Sequence, residues 1–198
     1  QHRIAQTIMD LPSKRIHKPL IGFLNQDEMM NIFAAVDMKK SAAVRDYTIL
    51  HLLFDSGARA SEIAELNLDY FDYQQKSLAI LGKGNRFRLV QLWPLTSDLL
   101  KLYSGQYRQT PKPLYRQTLF INQRGEQFTR HGINRLCRKY LLRALPETRV
   151  KQLNPVHCFR HSCAVNMLRS GDAVSDIKNH LGHDSVQSTM QYLHMDLS

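Results

Sequence analysis

The chain has 198 residues, 43% hydrophobic and 22% charged, with 27 Lys and Arg against 17 Asp and Glu for a formal net charge of +10. That length allows one ordinary globular domain with a sizeable core, or two small ones. The basic excess favours a polyanionic partner, nucleic acid ahead of a membrane surface, because Lys and Arg that neutralise phosphates release counterions.

Residues 1–24, "QHRIAQTIMDLPSKRIHKPLIGFL", mix basic residues with Pro12 and Pro19 and keep no period, which reads as a basic linker or arm. Asn25 offers an N-cap with Glu28 three residues on, so a helix over about 26–36 is expected, opening a domain that runs from 25 to 198. "AAVRDYTILHLLFDSG" carries apolar residues around much of its circumference and stops at Gly57, which predicts a central core helix. A short helix over "ARASEIAELN" follows. "SLAIL" and "FRLVQL" then flank Gly82-Lys83-Gly84-Asn85 as a β-hairpin. Helical period returns near 96–108, and "TLFIN" before "QRGE" reads as a short strand and turn. From Thr129 onward the pattern is helical, in segments led by "RHGINRLCRKYLLRAL", "HCFRHSCAVNMLRSG", "VSDIKNHLGH" and "SVQSTMQYLHM". The fold class expected is α+β, mainly α, with a small antiparallel sheet.

Cys137, Cys158 and Cys163 are odd in number and form no CxxC pair, which argues against a disulfide framework or zinc ribbon and fits a reducing, cytoplasmic setting. No run of about eighteen apolar residues occurs, and the N-terminus lacks the apolar core of a signal peptide, so no membrane partner is expected. The first residue is Gln rather than Met, which suggests a piece of a longer protein.

Within "HCFRH", His157, Arg160 and His161 fall on one helical face, because positions three and four apart are neighbours. Two histidines at this spacing occur in H-E-x-x-H zinc sites, but Cys158 stands where the glutamate would and Arg160 would set a cation beside the metal. No downstream carboxylate cluster supplies a third ligand, so neither metal nor cofactor is expected. Packing inside the helix remains open for these five residues taken alone. "NHLGHDS" ends a helix at Gly182 and delivers His183 just past it, nine residues before Tyr192. Upstream, Arg59 lies between a stopping glycine and the next helix, where it could help form an anion site or simply pair with Glu62. "GKGNRFR" would project Lys83, Arg86 and Arg88 from the hairpin tip, without the spacing of a P-loop.

Together these groups have a chemical logic. Arginine's planar fork can hold two non-bridging oxygens of a phosphodiester while charge grows in the transition state. A tyrosine, with a reference pKa of about 10, needs a cationic pocket and a nearby base to become a nucleophile. A departing 5′ oxygen needs a proton, which a lysine or histidine can give.

The order of the boxes, "SGARASE", "GKGNRFR", "HCFRH", "LGH" and the late tyrosine, resembles the catalytic domain of the tyrosine recombinase (phage integrase) family over about residues 20–195. The resemblance implies that Arg59 and Arg160 bind the scissile phosphate and that Tyr192 attacks it to give a 3′-phosphotyrosyl link. It implies Lys83 as general acid, His157 as proton handler for the tyrosine and His183 as a phosphate hydrogen-bond donor, with His161 left to support inside the helix. "FTRHGINRLCRKY" is similar to the family's DNA-groove segment, making Arg130 and His131 candidate contacts beside Arg86 and Arg88. The implied partners are double-stranded DNA and further protomers, tetrameric on DNA and monomeric when free. The family's N-terminal core-binding domain is not recognisable here, and only six residues follow Tyr192. A fragment with reduced DNA affinity is therefore expected. A type IB topoisomerase shares the same constellation, and a catalytically silent DNA-binding module would keep the basic face alone.

Overall fold

A computed structural model describes residues 22–40, 42–190 and 192. Residues 1–21, where the linker is expected, lie outside the described residues. Leu24 is buried, and its amide donates to Ser162 Oγ at 2.8 Å, so the described chain already packs on the body before the first helix.

Helix α1 (Gln26–Ala34) starts with the expected reciprocal cap: Asn25 Oδ1 accepts from the Glu28 amide at 2.8 Å and Glu28 Oε2 from the Asn25 amide at 3.0 Å. Helix α2 (Ala43–Ser56) is the central element the sequence implied, with Ile49, Leu50, Leu52 and Leu53 fully buried. It ends at Gly57, whose φ of 58° places it in the left-handed region. A Cβ there would come within 2.3 Å of Leu181 Cδ2, so glycine is required for packing as well as for turning. Asp46 fastens α2 to a later helix by accepting from the Tyr140 hydroxyl at 2.8 Å and the Lys139 ammonium at 3.1 Å.

After the one-turn-long α3 (Ala60–Ala64), β1 (Phe71–Asp72), β2 (Ser77–Leu81) and β3 (Phe87–Gln91) form an antiparallel sheet in that order, with Leu81 opposite Phe87 and Ser77 opposite Gln91. The hairpin matches the sequence reading; β1, two residues long, is an addition to it. Helix α4 (Pro94–Leu102) begins with proline in its first turn and continues as a π-turn over Tyr103–Tyr107, so the helical stretch starts a little before the expected 96. The stretch "TLFIN" corrects the expected strand: among the described residues it makes isolated bridges, Asn67 with Thr118 and Ile121 with Gln127. Its apolar run fills the core, where Leu119, Phe120 and Ile121 are fully buried, with no neighbouring strand among the described residues to extend the ladder.

Helix α5 (Arg130–Ala144) is capped by Thr129, whose hydroxyl accepts from the Gly132 amide at 3.0 Å, and the short α6 (Glu147–Val150) follows. Helix α7 (His157–Arg169) is buried from Cys158 through Val165 and packs on α2. Helix α8 (Val174–Leu181) stops at Gly182, φ 66°, and α9 (Gln187–Met190) leads to Tyr192. A main core contains α1, α2 and the buried face of α5. A second, smaller cluster joins Cys163, Ala164, Val165, Ile177, Leu181 and Tyr192. No helix among the described residues is long and apolar enough to cross a membrane.

Candidate active site

The turn ends at Gly57 and Gly182 meet over α7, and this fixes Arg160. Its guanidinium donates to Gly57 O at 2.6 Å and to Leu181 O at 2.8 Å, and the residue is 3% exposed. Burial, with Arg59 nearby, pulls it down to about 10, so it stays charged at neutral pH. Two of its five N–H donors go to these carbonyls, leaving others for an anion.

Arg59 caps α3 and donates from its backbone to Glu62 Oε2 at 2.8 Å and from its guanidinium to Glu62 Oε1 at 2.7 Å. The ion pair weighed in the sequence is therefore present, and the guanidinium also reaches Gly182 O at 3.4 Å, within the same cluster as Arg160. Burial would raise the Glu62 carboxyl, but hydrogen bonds and charge from Arg88, then from Arg59, hold it at about 2.

His157, at the first turn of α7, is partly solvent-facing; burial of its ring and the charges of Arg160 and Arg59 lower its pKa. One turn on, His161 is buried and its Nδ1 lies 2.9 Å from the Tyr192 hydroxyl. Burial, then His157 and Arg160, bring His161 to about 4, so its ring is neutral at pH 7. His183 Nδ1 lies 2.7 Å from Thr189 Oγ1, and its ring lies parallel to Tyr192 with centroids 6.1 Å apart. Burial and the charges of Arg160 and Arg59 bring His183 to about 4 as well. Tyr192 itself is 1% exposed, its hydroxyl facing α7.

The structure thus brings Arg59, His157, Arg160, His183 and Tyr192 into one electrostatically coupled cluster. Lys83 approaches from the hairpin tip, its ammonium 3.9 Å from Asp184, the residue after His183. Arg86 is exposed on the same tip. Arg88 departs from the sequence expectation of a projecting side chain. Strand alternation turns it inward, 12% exposed, onto both oxygens of Glu62 at 3.1 and 2.8 Å. Arg130 and His131 are exposed at the start of α5, where Arg130 shares a shallow groove with Ser61 and Glu65 of the α3 region.

Sequence reasoning missed two members of this site. Glu62 counted only as a bland partner for Arg59, although its i,i+3 position was visible. His161 was left to support the helix, because its partner Tyr192 lies 31 positions downstream.

The profile of the Phage integrase family matches residues 22–198, and the chain belongs to that family. It is 31% identical over 186 residues to tyrosine recombinase XerD of Staphylococcus haemolyticus (strain JCSC1435), covering 93% of this chain and 62% of that protein. XerD of Staphylococcus epidermidis (strain ATCC 35984) is likewise 31% identical over 189 residues, covering 95% and 63%. The chain therefore spans a little under two thirds of the length of these relatives. The crystal structure of XerA recombinase superposes with a TM-score of 0.73 at 26% identity, over 92% of this chain and 61% of that one. XerH site-specific recombinase, in a post-cleavage complex with palindromic difH substrate, gives 0.78 at 23% identity over 93% and 52%, which establishes the likeness of fold.

Proposed function

We propose that this chain is the catalytic part of a tyrosine recombinase that cleaves and rejoins DNA through a 3′-phosphotyrosyl link. The observation that carries the reading is the convergence of Arg160, Arg59, His183 and Tyr192 from four separate stretches of chain, with Tyr192 coupled to the Arg160 charge. In the proposed reaction the remaining donors of Arg160 and the partly exposed Arg59 take the non-bridging oxygens of the diester. The Tyr192 oxygen attacks phosphorus, its proton passing to a histidine of the pair His157 and His161. The P–O5′ bond breaks, and Lys83 protonates the leaving oxygen. His183 donates to a non-bridging oxygen. Reversal of these steps rejoins the strand, and the steps use side chains alone.

A basic chain of net charge +10 suits duplex DNA as substrate. Two relatives in fold support that partner: XerH is bound to difH substrate, and the Tn1549 transposon integrase is in complex with circular intermediate DNA. Arg86, Arg130 and His131 are the proposed further DNA contacts. We also place the protein in the cytoplasm, monomeric when free and assembling with other protomers on DNA.

A nicked suicide duplex drawn from a site library should trap a covalent protein–DNA adduct. Tyr192→Phe should abolish it, and an undiminished adduct in that variant would overturn the assignment. Supercoil relaxation without a partner site would point instead to topoisomerase chemistry, and salt-sensitive binding with no adduct from any site to a silent DNA-binding module.

A further inference from the structure

We propose that Arg88 is a positioning residue that shares the charge of Glu62 and so leaves Arg59 available to an anion, rather than itself touching DNA. The inference rests on the recombinase reading for what Arg59 then does.

Strand β3 alternates against hydrophobic expectation. Phe87 and Leu89 are 56% and 71% exposed, while the charged residue between them turns in. The reason lies inside. One side chain ties together three pieces of chain that the sequence keeps apart: the hairpin that carries it, α3 through Glu62, and the end of α8 through His180 O at 2.9 Å. The hairpin carries Lys83, α3 follows Arg59, and α8 ends two residues before His183. Gly182 completes the fit, because a Cβ there would lie 3.0 Å from Arg88 Nη1 and 3.1 Å from its Cδ.

Charge then decides the role. Glu62 is 5% exposed and carries four donors, two from Arg59 and two from Arg88. With Arg88 present, two cations share one carboxylate and one positive charge is left over. It resides on Arg59, whose side chain is 36% exposed against 12% for Arg88. Without Arg88, the buried carboxylate would keep Arg59 as its hydrogen-bonded counter-ion, drawing on the charge a phosphodiester needs.

The test pairs single and double substitutions. Arg88→Gln should lower the rate of adduct formation about 100-fold. Glu62→Gln added to Arg88→Gln should recover at least about tenfold, because a neutral amide no longer ties down Arg59. Arg88→Lys, which keeps the charge but not the two-pronged grip, should fall between, and it guards against a glutamine variant that folds poorly. A double variant no better than the single one would overturn the proposal and mark Arg88 as a direct phosphate contact, whose loss a change at Glu62 does not restore. Carbon-13 titration of the Glu62 carboxyl decides independently of DNA chemistry. It should titrate near 2 in the parent chain and move upward in Arg88→Gln, and an unmoved value overturns the role of Arg88. A parent chain that forms no adduct on any site would count instead against the recombinase reading.

Discussion

Arg160 and Lys83 sit at the two ends of the candidate site in contrasting surroundings. Arg160 is 3% exposed, and two backbone carbonyls from separate turns hold its guanidinium. The Lys83 side chain is 85% exposed and, among the described residues, pairs with Asp184 at 3.9 Å, itself 84% exposed. The proposed phosphate-binding end is thus built into the core, so that its geometry is set when the chain folds. The proposed proton-donating end is hung on a turn with Gly84 at φ 75° and Asn85 at φ 59°. Substitutions at the first end should therefore cost stability and activity together, and those at the second activity alone.

The largest effect is expected at Arg160. Arg160→Ala leaves the carbonyls of Gly57 and Leu181 buried without this donor, a loss of about 2–4 kcal/mol in unfolding free energy. Adduct formation should fall beyond detection. Urea unfolding measures the first and a suicide duplex the second. A stability loss under about 1 kcal/mol would mean that the carbonyls find other partners, and the contrast between the two ends would fail.

How much of this was legible in the sequence follows the same division. The hairpin was readable because alternating "SLAIL" and "FRLVQL" flank a glycine turn, and α1 because Asn25 and Glu28 spell out their own cap. Local signals of that kind do not reach across the chain. "TLFIN" looked like a strand since a short apolar run carries no information about whether a partner strand lies beside it. Arg88 was read as pointing outward because nothing near it in sequence reveals Glu62, 26 positions earlier, waiting inside. His161 was read as helix support for the same reason. The proposed catalytic set became legible only through its order along the chain, and that order resembles a family whose fold the structure then reproduced.

A smaller loss is expected for Gly182→Ala. The left-handed φ of 66° costs an alanine about 1–2 kcal/mol, and its methyl presses on Arg88. Displacing Arg88 and the following His183 should lower adduct formation more than the stability loss alone explains. A variant as active as the parent would show that the α8 turn does not position the site.

Acidification probes the buried end by degrees. His51, His161 and His183 sit at about 4 in the fold, against about 6.5 in an unfolded chain, because burial disfavours their charged forms. Between those values the unfolded chain binds more protons, so their contribution is complete above about 6.5 and drains away as pH falls through about 4. Asp55 runs the other way. Burial raises it to about 6, and its contribution is complete below its unfolded value and lost as pH rises through about 6. Three histidines outweigh one aspartate, so the urea midpoint should fall between pH 7 and pH 5. His161→Phe, which removes one titrating ring and the partner of the Tyr192 hydroxyl, should make that fall shallower; an unchanged slope would show that His161 takes up its proton in the fold as it does in the unfolded chain.

The smallest stability effect, and the one that best separates the two ends, is expected at the hairpin. An ion pair between two exposed side chains adds little, so Lys83→Ala should leave the urea midpoint where it is. If Lys83 is the general acid, cleavage should still slow by about 100- to 10,000-fold. The defect should then vanish on a duplex whose bridging 5′ oxygen at the scissile phosphate is replaced by sulfur, because a thiolate departs without a proton. Arg86→Ala, on the same turn, supplies the control. It should weaken duplex binding and reduce the salt slope by about 1, with no selective rescue by the sulfur substrate. A Lys83→Ala defect that persists on sulfur would place Lys83 with Arg86 as a DNA contact and leave the proton to another group of the cluster, of which His157 is the most exposed to solvent of the histidines on α7.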